Sequence, residues 1–355
     1  MSIDYNADFF PFYAHLSSVE KTVYRQILPE ILMGNESIKP SQSISSSEAS
    51  NVIHAIYYDR PDLFWLTGSS SIATINGIVS TITLGCNHLR RNLEHRKRQL
   101  ERSVDYYLRS VKGVEPFEQE RAIHDQMVRA ISYLHHAGDQ TSYSALVEEK
   151  AVCAGYSRAF QLLMQRLNIP CFYCGGTAIG PKDKTWGPHA WNIIKLDEDY
   201  YNVDITWNDC YDSTAADRID YTYFNCSDSK LLKNHRRDSE HAFLPSCNGM
   251  KYSFEKIYGT TPELELVYQD GVTCRTPVID KQSFIEVVEK ALRNSSKQSI
   301  VISFPLKGEE LIQHATDWFK EAVCSVFPHT GWQMKGSTRD YCNGWYRVEF
   351  YLKLK

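Results

Sequence analysis

The sequence predicts an α+β fold in which a helix that begins at a cysteine packs on an antiparallel sheet. The helix is predicted in VCAGYSRAFQLLMQRLNIP, where apolar residues recur every three or four positions and Pro170 ends the pattern. Three strands are predicted after it, in CFYCGGTAI, HAWNIIKL and YYNVDITW, which are rich in β-branched and aromatic residues. The short link LDED between the last two is typical of a hairpin, which favours antiparallel pairing.

The residues before this core, 1–114, are predicted to form a mainly helical N-terminal region. Helices are expected in SSVEKTVYRQILPEILMG, SEASNVIHAIYYDRP and NHLRRNLEHRKRQLERSVDYYLRSV. The segment DLFWLTGSSSIATINGIVSTITLGCN is typical of two strands or a hairpin. The third helix has a basic run, but the interspersed Glu94, Glu101 and Asp105 favour a solvated face over a nucleic-acid site.

The core itself is predicted at 115–249, beginning with a helix in EPFEQERAIHDQMVRAISYLHHAG that leads to the cysteine segment. A separate small α+β module is predicted at 250–355. Its helices are expected in DKQSFIEVVEKALRNS and GEELIQHATDWFKEAVCSVF, and its strands in QSIVISF, GWQMKGS and GWYRVEFYLKL. Two helices on a small sheet would suit a substrate- or partner-binding appendage.

The composition describes an ordinary folded protein of 355 residues with 43% hydrophobic residues. A net charge of -4 argues against nucleic acid as a partner. The first residues lack a basic segment followed by an apolar run, and no stretch has the length and hydropathy of a membrane span. We therefore expect a cytoplasmic protein without a membrane partner.

Ten cysteines are scattered along the chain rather than arranged as a disulfide framework. The close pair Cys171 and Cys174 lacks the second pair or the histidines that a zinc site requires, and it lies in a strand-like segment. We predict a structural role for both cysteines, and we expect neither a metal nor another cofactor.

Cys153 stands at the start of the predicted helix. The free backbone N–H groups and the helix dipole favour a negative charge there, so a thiolate is stabilised at this position. The alternative is a buried structural cysteine, because free cysteine is among the most buried residue types.

His189 and Asp204 are the candidate base and its partner. If Asp197 and Glu198 form a two-residue turn, Asp204 lies opposite Trp191, and His189 is the diagonal neighbour on the same face. A three-residue turn would place the pair on opposite faces unless a bulge intervened. The same alternation puts the remaining large residues of that strand on the other face: Tyr201, Val203, Ile205 and Trp207. Taken singly, the histidine could be an ordinary strand-edge residue and the aspartate a turn cap or ion-pair partner.

The segments VCAGYSRAFQLL, HAWNIIKL and YYNVDITWND, in that order, resemble the three signature blocks of the transglutaminase-like superfamily. DRPDLFWL and RAIHDQMVRAISY resemble its bacterial cysteine peptidase members, so the similarity covers about residues 50–245. The resemblance implies a papain-like fold and a catalytic triad. In it, Cys153 is the nucleophile, His189 is the general base and acid, and Asp204 orients His189.

The resemblance implies a thiol-dependent acyltransferase or hydrolase, most simply a cysteine protease or amidase that acts on a peptide or protein substrate. A transglutaminase that joins glutamine to an amine is the first alternative, although DEDYYNVD lacks the layout of an EF-hand calcium loop. The signature blocks resemble arylamine acetyltransferases less. A catalytically silent scaffold is the alternative from another class.

A tetrahedral intermediate in such a reaction needs hydrogen-bond donors for its oxyanion. The backbone N–H of Cys153 is one candidate, and Tyr143 in TSYSAL is the other, with ordinary packing as its alternative role. Trp186, Trp191 and Trp207 flank the predicted site, but tryptophans in strands usually belong to a core, so no role is assigned to them.

Overall fold

The computed structural model describes residues 5–109, 111–180, 185–209, 221–253, 280–294, 299–307, 309–342 and 345–354. These described residues divide into two units, the first reaching Met250 and the second beginning at Lys251. Each unit combines helices with antiparallel strands, so the α+β class is confirmed.

The helices of the first unit are α1 (Pro11–His15), α2 (Ser18–Leu32), α3 (Ser46–Asp59), α4 (Leu93–Arg109), α5 (Pro116–Ala130), α6 (Ser142–Val147), α7 (Cys153–Arg166), α8 (Ile205–Asn208) and α9 (Asp228–Leu231). The long helices lie where the sequence predicts them, whereas the short helices α6, α8 and α9 were not predicted. Ser17 and Ser45 each form a capping box with the glutamate three residues later, which satisfies backbone N–H groups at the starts of α2 and α3.

Helix α5 ends earlier than the sequence predicts. The predicted segment continues to Gly138, but strand β4 (Ser132–Tyr133) pairs in parallel with β5 (Lys150–Ala151). The Ser132 N–H donates to the Glu149 carbonyl at 2.9 Å, and the Leu134 N–H donates to the Ala151 carbonyl at 3.0 Å. These tertiary bonds take up backbone groups that a longer helix would have used.

The predicted hairpin forms from β2 (Leu66–Ile75) and β3 (Ile78–Cys86), and β1 (Ser37–Ile38) pairs with the other edge of β3. The turn consists of Asn76 and Gly77, both with positive φ, at 53° and 80°. Two consecutive left-handed residues are what a tight hairpin turn requires, and Asn-Gly is the pair that adopts them most readily.

The central sheet of the first unit has the strand order β8-β7-β6-β9 and is antiparallel throughout. Its strands are β6 (Cys171–Ala178), β7 (Gly187–Leu196), β8 (Asp199–Val203) and β9 (His235–Arg237). Helix α7 packs on β6 and β7. The buried Asn192 of β7 fixes this packing, because its side-chain amide donates to the Ser157 carbonyl of α7 at 2.9 Å.

The polar side of α7 has a structural purpose that its pattern does not predict. Arg158, Gln161 and Gln165 donate to the carbonyl oxygens of Tyr57, Tyr58 and Asp59, at 2.8, 2.9 and 3.2 Å. The last carbonyls of a helix have no partner within it, so these side chains cap the end of α3. This side of α7 therefore lies against α3.

Glu120 on α5 is a fully buried carboxyl group with a neutral partner. Its Oε2 atom accepts a hydrogen bond of 2.9 Å from the side-chain amide of Asn225. Burial raises the pKa of Glu120 to about 8, and the bond from Asn225 offsets part of that rise. The folded protein therefore holds a proton that an unfolded chain releases near pH 4.5.

We predict that Glu120→Gln makes the protein more stable than wild type at alkaline pH. Stabilisation by the protonated carboxyl group is fully present below pH 4.5 and is lost as the pH rises through about 8. Glutamine stays neutral and can still accept the bond from Asn225, so Tm near pH 9 should rise by about 5 °C or more. Thermal unfolding followed by circular dichroism at several pH values checks this. Glu118→Gln, a substitution at an exposed position of the same helix, is the control. The prediction would be contradicted if Tm changed with pH in the same way for Glu120→Gln and for wild type.

The second unit contains α10 (Lys281–Asn294), α11 (Glu309–Val326), β10 (Ser299–Lys307), β11 (Trp332–Cys342) and β12 (Trp345–Leu354). The strands form an antiparallel sheet in the order β10-β12-β11, and both helices contribute to one buried core with Phe284, Phe319 and Phe350. The predicted helices and strands of this module are confirmed. Among the helices that the structure describes, none combines the length and hydropathy needed to cross a bilayer.

Candidate active site

Cys153 is the first residue of α7, as the sequence predicts, and its side chain is half-buried. Val152 precedes the helix without a side-chain cap, so the first-turn N–H groups face no capping side chain. Gly155 permits this helix start, because a Cβ there would lie 2.5 Å from the Asp139 carbonyl oxygen. Glycine is thus required at position 155, two residues after the cysteine, because the preceding loop comes so close.

The turn between β7 and β8 has the two-residue form on which the predicted register depends. Leu196 pairs with Asp199, and Asp197 adopts a positive φ of 52°. The pairing then continues to Asn192 opposite Val203. Asp204 follows immediately, and it meets His189 across the strands as the register predicts.

Asp204 does not lie in the middle of a strand, which corrects the sequence prediction. β8 ends at Val203, and Asp204 is the N-cap of α8, accepting a 3.1 Å hydrogen bond from the Trp207 N–H on Oδ1. The helical turn also redirects Trp207. Its ring lies 5.4 Å from the His189 ring rather than on the opposite face.

His189 connects the other two predicted residues. Its Nε2 atom lies 2.7 Å from Oδ2 of Asp204, and Cys153 is close enough to the ring to help raise the pKa of His189. The His189 side chain is 8% exposed, and that of Asp204 is 0% exposed. Because Nε2 is occupied by the carboxylate, Nδ1 is the ring nitrogen left for the sulfur. The structure therefore brings Cys153, His189 and Asp204 together in that order.

The charges in this group support one another. Burial lowers the pKa of His189, but the charge of Asp204, its hydrogen bond and the contact with Cys153 outweigh that effect and raise the pKa to about 10. Burial likewise opposes ionisation of Asp204, but His189 and then His235 hold its pKa well below the usual range. The imidazolium and the carboxylate are therefore the favoured forms at neutral pH.

Cys171 and Cys174 are more deeply buried than Cys153. Both are fully buried in β6. Burial raises the pKa of both thiols, which keeps them protonated at neutral pH. A structural role is what these properties support.

Tyr143 lies in α6 and contacts α4 rather than Cys153, His189 or Asp204. Its hydroxyl donates to Gln99 at 2.9 Å, its ring stacks on Phe64 at 5.0 Å, and the Arg96 guanidinium lies 5.4 Å from the ring. None of its contacts among the described residues involves Cys153, His189 or Asp204. These contacts support the packing role.

Aromatic and small side chains surround Cys153 and His189. Cys153 packs in a small cluster with Tyr58, Tyr173, Ala154 and Ala190. The three tryptophans differ in position: Trp191 is fully buried beside His189, Trp207 is half-buried against its ring, and Trp186 stacks under the Arg236 guanidinium at 3.9 Å.

His235 is a further residue of this site that was not predicted from the sequence. This fully buried residue of β9 places Nε2 3.1 Å from Oδ2 of Asp204. One signal in the sequence points to it. A Cβ on Gly176 would lie 2.0 Å from the Arg236 carbonyl oxygen, so a glycine in β6 marks the close approach of another backbone. That backbone is β9, which carries His235.

Within the described part of the chain, His189, Asp204 and His235 also form a group that could hold a metal ion, since one ligand atom from each lies within 4.8 Å of the others. The hydrogen bonds described above already account for the arrangement of these atoms. A metal ion bound there would occupy the imidazole and the carboxylate on which a thiol nucleophile depends.

One family model matches part of the chain. Residues 105–205 match the model of the transglutaminase-like superfamily, and the segment contains all three of Cys153, His189 and Asp204. The resemblance predicted from the sequence is confirmed over that segment. None of the curated proteins matches the chain.

Two solved structures show distant similarity. One is a crystal structure of a TGase, with 13% identity, 48% of this chain and 50% of that chain covered, and a TM-score of 0.27. The other is a candidate protease from Parabacteroides distasonis ATCC 8503, with 8% identity, 81% and 62% of the chains covered, and a TM-score of 0.26. This chain thus spans about half the length of the first and under two thirds of the second.

Proposed function

We propose that this protein is a cysteine peptidase or amidase that hydrolyses amide bonds of a peptide or protein substrate. The observation that supports this most directly is the position of the His189 ring, which contacts Cys153 and lies 2.7 Å from a fully buried carboxylate oxygen of Asp204. A nucleophile, a base within hydrogen-bonding reach and a group that orients the base are the parts that covalent acyl transfer requires.

In the proposed mechanism the Cys153 thiolate attacks the amide carbonyl carbon, and the carbonyl oxygen becomes an oxyanion. The backbone N–H of Cys153, in the first turn of α7, is a candidate donor to it. As the C–N bond breaks, His189 gives its proton to the leaving amine. His189 then takes a proton from water, whose oxygen attacks the thioester and releases the carboxylic acid and the thiolate.

Asp204 has two tasks in this proposal. It holds the His189 ring so that Nδ1 faces the sulfur, and its negative charge favours the imidazolium that accompanies the thiolate. Two hydrogen bonds contribute to its own orientation, because Oδ1 accepts from the Trp207 N–H while Oδ2 accepts from His189. The proposed catalytic core is 115–249, with a papain-like arrangement of α7 on the sheet, and 1–114 and 250–355 flank it.

Hydrolysis and transamidation differ only in what attacks the thioester, so a single experiment separates them. Casein is incubated with the protein and a fluorescent primary amine, and the products are separated by size and by fluorescence. We expect new fragments without fluorescence, and no fragments with Cys153→Ala. Fluorescent casein without fragments would identify a transglutaminase instead. If neither fragments nor fluorescent casein form, and Cys153 is alkylated slowly, a catalytically silent scaffold is favoured.

A further inference from the structure

His235 contacts the same carboxylate oxygen as His189. Its Nε2 atom lies 3.1 Å from Oδ2 of Asp204, and its side chain is 0% exposed. A carboxylate only accepts hydrogen bonds, so Nε2 of His235 must carry the proton and donate it. Asp204 therefore receives donors from two imidazole rings and from the Trp207 backbone.

The other ring nitrogen of His235 is also held. Its Nδ1 atom lies 2.8 Å from Oδ1 of Asn234, whose Nδ2 donates to the Tyr223 hydroxyl at 2.8 Å. A side-chain amide offers both a donor and an acceptor, and a rotation of the amide exchanges them. Asn234 can thus satisfy Nδ1 of His235 whether or not that nitrogen carries a proton.

Three aromatic rings enclose His235 and fix its plane. The ring centroids of Trp207, Trp191 and Tyr223 lie 4.5, 5.3 and 5.6 Å from that of His235. The backbone is fixed as well, because Ala178 of β6 pairs with His235 of β9. A buried donor in such a setting cannot leave Asp204 without breaking several contacts.

We infer that His235 is a positioning residue of the candidate active site, one that holds the Asp204 carboxylate in the orientation at which it receives the His189 ring. The inference rests on the proposed function. Its physical basis is that a buried carboxylate must be satisfied by donors, and that loss of the His235 donor leaves Oδ2 of Asp204 held by His189 alone, which weakens the constraint on the carboxylate. Because Asp204 orients His189, a rotation of the carboxylate also moves the ring relative to the Cys153 sulfur.

Two substitutions separate the hydrogen bond from the bulk of the ring. In His235→Gln the amide nitrogen can occupy the place of Nε2, whereas His235→Leu keeps similar volume without any donor. We expect His235→Leu to lower kcat for casein hydrolysis by about 10- to 100-fold with little change in KM. The reason is that the substitution displaces the His189 ring but does not alter substrate binding. His235→Gln should recover most of that loss, and alkylation of Cys153 by iodoacetamide should follow the same order.

A matched control comes from His124, which is also fully buried but bonds to Asn208 rather than to a residue of the triad. His124→Leu should lower Tm while leaving kcat of the folded protein near wild type. If His235→Leu fails to fold, His235→Asn takes its place, because its shorter amide reaches the position of Nδ1 but not that of Nε2.

The inference would be overturned if His235→Leu, or His235→Asn in its place, had the kcat of wild type. It would also be overturned if that variant and His235→Gln had equal kcat values. The proposed function fails in a different way. It is contradicted if Cys153 of the wild-type protein reacts with iodoacetamide no faster than the exposed Cys324, a comparison that involves no change at His235.

Discussion

Cys153→Ala is expected to reduce amide hydrolysis by about 10⁴-fold or more, the range found when the nucleophile of a catalytic triad is removed. The physical reason is that no other thiol among the described residues contacts a histidine that is paired with a carboxylate. The substitution removes only a sulfur atom from a half-buried position, so the fold should persist. The rate of casein cleavage under saturating substrate, with Tm as the test of folding, measures the effect.

Two control variants show whether the loss is specific to Cys153. Cys324→Ala changes an exposed thiol of the second unit and should alter neither the rate nor Tm. Cys171→Ala changes a fully buried thiol and should lower Tm while sparing the rate of the folded protein. Retention of wild-type turnover by Cys153→Ala would contradict the assignment of the nucleophile.

Asp204→Asn is expected to move the alkaline limb of the pH–rate profile to lower pH by at least about one unit. The imidazolium of His189 is present below its pKa of about 10 and is lost as the pH rises through that value. Without the carboxylate charge, burial is left as the dominant influence and lowers the pKa of His189. Near pH 9, wild type should still be active, whereas the variant should have lost most of its kcat.

The amide in Asp204→Asn can still accept a hydrogen bond from His189, so the shift reports charge more than geometry. Asp209→Asn is the matched control, because Asp209 is a nearby carboxylate that bonds to the Tyr156 hydroxyl rather than to His189. Its alkaline limb should coincide with that of wild type. Coincident limbs for Asp204→Asn and wild type would show that Asp204 does not govern the charge of His189.

The parts of the site that could be predicted from sequence are those set by local rules. The apolar spacing after Cys153 places the cysteine at a helix start, and the two-residue turn at Asp197 brings Asp204 towards His189. A local pattern was misleading at Asp204 itself. Its neighbours have strand-forming side chains, but its carboxylate caps a helical turn, so the strand ends at Val203 rather than continuing to Trp207.

The parts that were missed depend on contacts between distant segments. His235 reaches Asp204 only because β9 pairs with β6, and no spacing within either segment encodes that pairing. The polar side of α7 likewise has distant partners, the carbonyl groups at the end of α3, about a hundred residues earlier. Gly176 was visible as an unusual residue in a strand, although a glycine alone does not tell which backbone comes close.

Alkylation by iodoacetamide at neutral pH, resolved by mass spectrometry for each cysteine-containing peptide, shows whether the Cys153 thiol is activated by His189. If Cys153, His189 and Asp204 act as one group, Cys153 should react on the order of 100-fold faster than the exposed Cys324. In His189→Ala the Cys153 rate should fall to that of Cys324. The proposal that these residues act as one group would be contradicted if Cys153 of the wild-type protein reacted no faster than Cys324. It would also be contradicted if Cys153 still reacted fast in His189→Ala.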